Sequence, residues 1–367
     1  MKYNRSTIIL TLITVISLSI PTVEACSRLL WNINDTRVMS GRTFDWYHSL
    51  GSLIYINPRG TKMDGGEKKN PYSWTSKYGS VTTAISTYLM QQGDFSWEDG
   101  ATDGINEKGL AAHALYLQGS VFVHDEKDLP AINTLRWVRY ILDNFASVDE
   151  ALAAMQHIHI APGILDGNPM SFHMAMEDSS GDSAIIEFVN GIKTIKHGAQ
   201  YTVLTNNPPY TEQVENLKNY ETFGGNKPLP GNVSSEDRFV RLSYYSKFLP
   251  ETNFSTFPQS HLLSVMRTAA SPFGAPYTSG ASYPTWWISL SDLTNLQYFF
   301  TAVEAPNLIQ IDVTTIDFEK GSGIRWLDPR NQKLFGIVNT DFKPLSELKI
   351  QRQDSISTKR GAQNVAN

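Results

Sequence analysis

Cys26-Ser-Arg-Leu-Leu-Trp-Asn32, Asn34-Asp-Thr36 and Arg37-Val-Met-Ser-Gly-Arg-Thr-Phe-Asp45 read as one unit. Two short, largely apolar runs flank turn chemistry, which is the pattern of a β-hairpin. If the runs pair, the far end of the second returns beside the first residue of the first. Arg42 and Asp45 then approach Cys26. That residue is the one cysteine among 367 residues, so a disulfide within the chain is impossible.

What precedes Cys26 differs from the rest. Lys2 and Arg5 make a positive start, Ile8 to Ile20 is an apolar run diluted by Thr11, Thr14, Ser17 and Ser19, and Pro21 breaks it before Val23-Glu24-Ala25. The run is shorter than the roughly 20 residues that cross a bilayer, so residues 1–25 are expected to be a secretory signal that is removed. A periplasmic or secreted protein follows, with no membrane attachment after processing. Cleavage after Ala25 would make Cys26 the new N-terminal residue. A free α-amine has a pKa of about 7.7–8.0, so one residue would carry both the nucleophile and its base, and the uncleaved precursor is expected to be inactive. Arg42 would favour the thiolate, and Asp45 would hold the amine by a charge-assisted hydrogen bond. Cys26 could instead be an acylated lipoprotein cysteine, although Glu24 suits that signal poorly, or a small buried residue. Arg42 and Asp45 could be a surface ion pair.

Composition narrows the function classes. The chain is 41% hydrophobic and 18% charged, with net charge −5 and no Lys/Arg-rich block. No positive stripe is present to displace phosphate counterions, which argues against a nucleic-acid partner. His157 and His159 are an i, i+2 pair and the other histidines are scattered. No His-Glu-x-x-His or Cys-x-x-Cys pattern occurs, so no metal site is expected. Gly65-Gly66 and Gly224-Gly225 lack the strand-to-helix setting of a phosphate loop, and no cofactor is implied.

Downstream, residues 52–57, 80–88 and 110–117 read as strands and 62–71 as a polar loop. Ile132, Leu135, Val138, Ile141, Leu142 and Phe145 share one helical face. Ser147-Val-Asp-Glu150 is a capping box that opens a second helix. Strands return over 171–205, with Asn190-Gly191 as a hairpin turn, and the last of them runs into Asn206-Asn207-Pro208-Pro209. Helices are expected at 236–249 and 259–269, and strands near 285–303 and 307–315. The sum is one α+β domain over 26–350 with a polar tail over 351–367.

Cys26, Arg-Thr-Phe-Asp (42–45), Asn-Glu-Lys-Gly-Leu (106–110), Leu-Thr-Asn-Asn-Pro (204–208) and Asp-Arg-Phe (237–239) together resemble the choloylglycine hydrolase family. That family holds the bile salt hydrolases and penicillin V acylases among the N-terminal nucleophile (Ntn) hydrolases. Each motif is weak alone; their order and spacing, from Cys26 to about residue 320, are specific. The resemblance implies a four-layer αββα sandwich of two antiparallel sheets flanked by helices. It implies that Cys26 attacks an amide carbonyl, that Arg42 and Asp45 flank the thiol and amine, and that Asn206 donates its side-chain amide to the oxyanion. Tyr116 matches the second donor position, through its backbone N–H, and Arg238 matches a second active-site arginine. A homotetramer is implied as well. Among the aromatic residues, Trp46 is the substrate-contact candidate because it follows Asp45, whereas Trp286 and Trp287 are expected in the core. The expected function is an exported amidohydrolase that cleaves linear C–N amide bonds through a Cys thioester. Its substrate would be a small molecule with an apolar acyl group: penicillin V, a conjugated bile acid or an acyl-homoserine lactone. The rival is a lipid-anchored, non-catalytic binding protein with the same fold.

Overall fold

Residues Ala25–Ile33 and Arg37–Asp45 pair antiparallel in one unbroken register, from Ala25 opposite Asp45 to Ile33 opposite Arg37. The structure, a computed structural model, describes residues 25–33, 36–122, 128–165, 167–250, 257–277 and 280–349. Residues 1–24 of the expected leader over 1–25, residues 34–35 of the expected turn and the tail over 351–367 lie outside the described residues.

The hairpin sits inside a seven-stranded sheet whose spatial order is 203–204, 25–33, 37–45, 285–292, 297–302, 305–312 and 336–337. Its pairings are antiparallel except for the short last one. A second sheet of nine strands runs 192–197, 183–189, 172–177, 111–116, 101–106, 80–84, 53–57, 325–327 and 343–344. Helices Ser235–Ser246 and Pro258–Ala269 pack on the hairpin, and helix Trp137–Asn144 packs on strands 101–106 and 111–116. The first strand also touches strand 111–116 of the other sheet, so the layers run helix, sheet, sheet, helix as expected.

Burial follows from this layering. Cys26 to Leu30 are all buried although they alternate in direction, because one face meets helices and the other meets the second sheet. Gly41 shows how closely the helix layer approaches: a Cβ there would lie 2.8 Å from the Met266 side chain.

Several local readings hold. Ser147 caps helix Val148–Ala154 by accepting from the Glu150 amide. Asn190 and Gly191 adopt φ of +52° and +78°, the twist a two-residue hairpin needs, between Val189 and its partner Ile192. Others shift. The helical face read from Ile132 begins at Trp137, because Ala131–Asn133 is a strand paired parallel to His159–Ala161; both conformations bury the same apolar side chains. The strand read over 80–88 ends at Ala84, and helix Ser86–Gln92 follows, as Leu89, Met90, Gln91 and Gln92 favour. Helix Tyr210–Leu217 was not expected. Its signal was the Pro-Pro pair just before it.

Candidate active site

The strand alternation separates two residues that the hairpin alone placed together. Arg42 lies on the face shared with Cys26, and Asp45, three residues on, lies on the opposite face. The Arg42 side chain reaches into the second sheet. Its Nη1 donates to the Thr102 carbonyl at 2.7 Å and its Nη2 to the Ala114 carbonyl at 2.7 Å, with Nη2 also 3.8 Å from the Cys26 sulfur. Its guanidinium carbon lies 5.1 Å from the Trp287 ring centre and 5.4 Å from that of Phe44. No carboxylate touches Arg42 among these contacts, so its charge is available to the thiol.

Asp45 is buried on the helix-facing side. Thr285 Oγ1 donates to its Oδ1 at 2.6 Å, Thr43 Oγ1 lies 3.4 Å from Oδ2, and Arg238 Nη1 is 3.9 Å away. Burial dominates and pushes its pKa up to about 7, while Arg238, Thr285, Thr43 and Arg42 pull it down. Burial raises the Cys26 thiol pKa, Arg42 lowers it, the Asp45 charge raises it, and the Asp45 main chain and Arg238 lower it.

Asn206 closes the site from a third direction. Its Oδ1 accepts from the Cys26 nitrogen and from Arg238 Nη2 at 3.0 Å. Its Nδ2 donates to the Tyr116 carbonyl at 2.7 Å. An amide nitrogen carries two hydrogens, so one remains for a further acceptor. Arg238 Nη1 also donates to the Cys26 carbonyl and to Ser27 Oγ, both at 2.6 Å. The expected contact between a freed amine and Asp45 concerns the cleaved chain; here the Cys26 nitrogen, still part of the main chain, contacts Asn206. With Ala25 still attached, the Cys26 nitrogen is a planar amide with a single hydrogen, whereas a freed ammonium would carry three.

The structure therefore gathers Cys26, Arg42, Asp45, Tyr116, Asn206 and Arg238. Trp46 is half-buried beside them: its ring lies 6.4 Å from Tyr116 in an edge contact and 5.7 Å from Tyr47. Tyr116 in turn meets Phe172 at 6.4 Å. Trp287 is core, stacked on Phe44 at 4.9 Å. Trp286 is not: it is half-buried, lies 5.1 Å from the exposed Phe273 ring, and donates to the Trp46 carbonyl at 2.9 Å. Trp97 packs under Arg139. The sequence reading missed Thr285, Ser235 and Gln213. Ser235 follows the cap residue Ser234 in Ser-Ser-Glu-Asp, a visible helix-start signal; Thr285 and Gln213 carry no local signal for their roles.

A family model for linear amide C–N hydrolases, choloylglycine hydrolase family, matches residues 26–324. The penicillin V acylase of Pectobacterium atrosepticum is 31% identical over 368 residues, covering 94% of this chain and 96% of its own. A bile salt hydrolase/transferase of Bifidobacterium longum subsp. longum is 27% identical over 256 residues, 62% of this chain and 76% of its own. Among solved structures, penicillin V acylase from Agrobacterium tumefaciens superposes with a TM-score of 0.77 at 31% identity, covering 89% of this chain and 100% of that one. A variant of the conjugated bile acid hydrolase from Clostridium perfringens gives 0.68 at 21% identity, covering 83% and 97%, a likeness of fold.

Proposed function

The chain belongs to the choloylglycine hydrolase family of linear amide C–N hydrolases, and we propose that it is an exported enzyme whose N-terminal Cys26, freed by cleavage after Ala25, forms a thioester with the acyl group of its substrate. One observation carries the reading: the Cys26 sulfur is buried 3.8 Å from an Arg42 whose other hydrogen bonds among the described residues go to main-chain carbonyls, with Asn206 at the Cys26 nitrogen.

The chemistry then balances within one residue. The neutral α-amine takes the thiol proton, and the thiolate, favoured by Arg42, attacks the amide carbonyl. Charge on the former carbonyl oxygen is met by Asn206 Nδ2 and the Tyr116 backbone N–H. The C–N bond breaks as the ammonium returns its proton to the leaving amine. Water, deprotonated by the same amine, attacks the thioester, releases the acid and restores the thiol. Asp45 and Arg238 hold the terminus: the carboxylate receives the new ammonium, and Arg238 anchors the Cys26 carbonyl. An uncleaved chain has no basic nitrogen at Cys26 and is inactive.

Trp46, with Tyr116, Tyr47 and Phe172 adjoining, supports an aromatic or otherwise apolar acyl group. The identity to a penicillin V acylase extends over nearly the whole chain, whereas that to the bile salt enzymes covers less, so phenoxyacetyl is favoured over a bile acid, with an acyl-homoserine lactone third. A homotetramer in the periplasm or outside the cell completes the proposal. The lipid-anchored alternative needs a thioether chain on a sulfur that is enclosed between the sheets at 3% exposure, and it fits less well.

Intact mass of exported protein should begin at Cys26, with a free thiol. Cys26→Ala should abolish hydrolysis of penicillin V, glycine- and taurine-conjugated bile salts and acyl-homoserine lactones, while the fold persists. Turnover retained by Cys26→Ala would sink the mechanism.

A further inference from the structure

Asn206 is held twice, once by its side chain and once by its main chain. The side-chain partners belong to the site already described. The main-chain partners come from elsewhere and form a closed circuit. The Asn206 amide donates to Ser235 Oγ at 2.9 Å. Ser235 Oγ donates to Thr205 Oγ1 at 3.0 Å, and Thr205 Oγ1 donates to Gln213 Oε1. Gln213 Nε2 then donates to the Asn206 carbonyl at 2.6 Å and to the Pro208 carbonyl at 2.7 Å. Thr205, Asn206, Gln213 and Ser235 are all buried, and Gln213 is fully so.

We propose that Gln213 is a positioning residue for the reaction: it fixes the Asn206 main chain so that the remaining Nδ2 hydrogen is aimed at the developing oxyanion. This rests on the Cys26–Asn206 reading above. Gln213 touches neither Cys26 nor Asn206's side chain in these contacts; it acts through the backbone. Its amide is fully committed, with both hydrogens given to carbonyls and its oxygen to a hydroxyl. A leucine would fill similar space and leave the buried Asn206 carbonyl and the half-buried Pro208 carbonyl without their Gln213 donor, while Thr205 Oγ1 keeps its bonds to Ser235. Strand Val203–Leu204 is only two residues long, so ladder hydrogen bonds cannot hold Thr205 and Asn206. The side-chain circuit substitutes for a ladder at the point where the donor must be rigid.

Two variants test this. Gln213→Leu should lower kcat by about 100-fold with KM little changed, as expected of a donor misplaced for the transition state alone. Gln213→Glu keeps the shape but sets a carboxylate against two carbonyl oxygens. Its protonated form can still donate one hydrogen, so the ratio of its kcat to the wild-type value should rise as pH falls through the titration of that carboxyl. The rate of Cys26 alkylation should be the same in wild type and both variants, because the Arg42 side of the site is untouched. Wild-type kcat in folded Gln213→Leu, or a kcat ratio for Gln213→Glu that is flat with pH, overturns the proposal. Should Gln213→Leu not fold, Gln213→Glu decides alone through that ratio. Turnover surviving in Cys26→Ala would instead overturn the parent reading, and is told apart by that control.

Discussion

Two clusters of buried charge share the first strand, and they are built on opposite plans. Around Arg28, each charge meets its opposite in contact. Its guanidinium pairs with Glu177, Glu177 Oε1 lies 2.7 Å from His113 Nε2, and His113 Nδ1 meets Asp103, which also accepts from the Tyr298 hydroxyl. The chain of contacts crosses from one sheet to the other and back. Around Cys26, two residues earlier, Arg42 and Arg238 rest mostly on carbonyls, a hydroxyl and an amide oxygen, and Asp45 on hydroxyls. The first cluster is quenched and staples the sheets. The second keeps its charges unspent, where the Cys26 sulfur can feel them.

The titration of the two clusters reports that difference. At Glu177 burial works upward, but Arg28 and His113 outweigh it and hold the carboxyl down at about 2. At His113 burial works downward, but Glu177 and Asp103 lift the ring to about 9. At Asp45 burial wins and the pKa climbs to about 7. Charge pairing decides where partners touch; desolvation decides where they do not.

The largest expected effect would break the staple. Glu177→Gln leaves Arg28 without its carboxylate and His113 with Asp103 alone, and should cost about 3–5 kcal/mol of unfolding free energy, read by denaturant titration, while the kcat of the remaining folded protein is retained. A loss below about 1 kcal/mol, the scale of an exposed ion pair, would mean that the cluster is not the fastening described. Next, Asn206→Ala tests the other plan: kcat should fall by about 10²–10³, or about 2.7–4 kcal/mol of barrier, with far less change in stability than Glu177→Gln. Equal stability losses in the two variants would erase the distinction between the regions.

The smallest effect is the pH dependence of stability, at most about 1.4 kcal/mol per pH unit and proton. Glu177, held below its ordinary 4.5, stabilises above that value and loses its contribution as pH falls toward 2. His113, raised from 6.5 to about 9, stabilises fully below 6.5 and loses its contribution as pH rises through 9. The staple is therefore strongest between pH 4.5 and 6.5. Asp45, raised from 3.8, adds a loss as pH rises toward 7. In Glu177→Gln the acid limb of the stability curve should flatten; an unchanged acid limb would show that Glu177 is not its source.

Much of this was legible in the chain. The hairpin of Cys26 and Asp45, the Asn190-Gly191 turn and the cap at Ser147 rest on local chemistry, and each stands as read. Trp46 stays with the site for the same reason, being bound to Asp45 by one peptide link. Trp286 and Trp287 are adjacent and alike, yet one is core and the other half-buried, since only the layering decides which face of a strand is covered. The helix at Tyr210–Leu217 was hidden because eight residues with two buried side chains show little periodicity.

The sequence by itself determined which residue could be nucleophile and base at once, and which hairpin would bring Arg42 and Asp45 near it. These are matters of covalent order and short-range pairing, whose geometry a two-residue period sets. Only the tertiary structure decided what covers each face of that hairpin, so that Arg42 meets the second sheet and Asp45 the helix side, that Asn206 meets Cys26 across 180 residues, and that Gln213 steadies it. Those contacts follow from how layers stack. Burial then removes water as a competing partner, and so decides which polar groups must find one another.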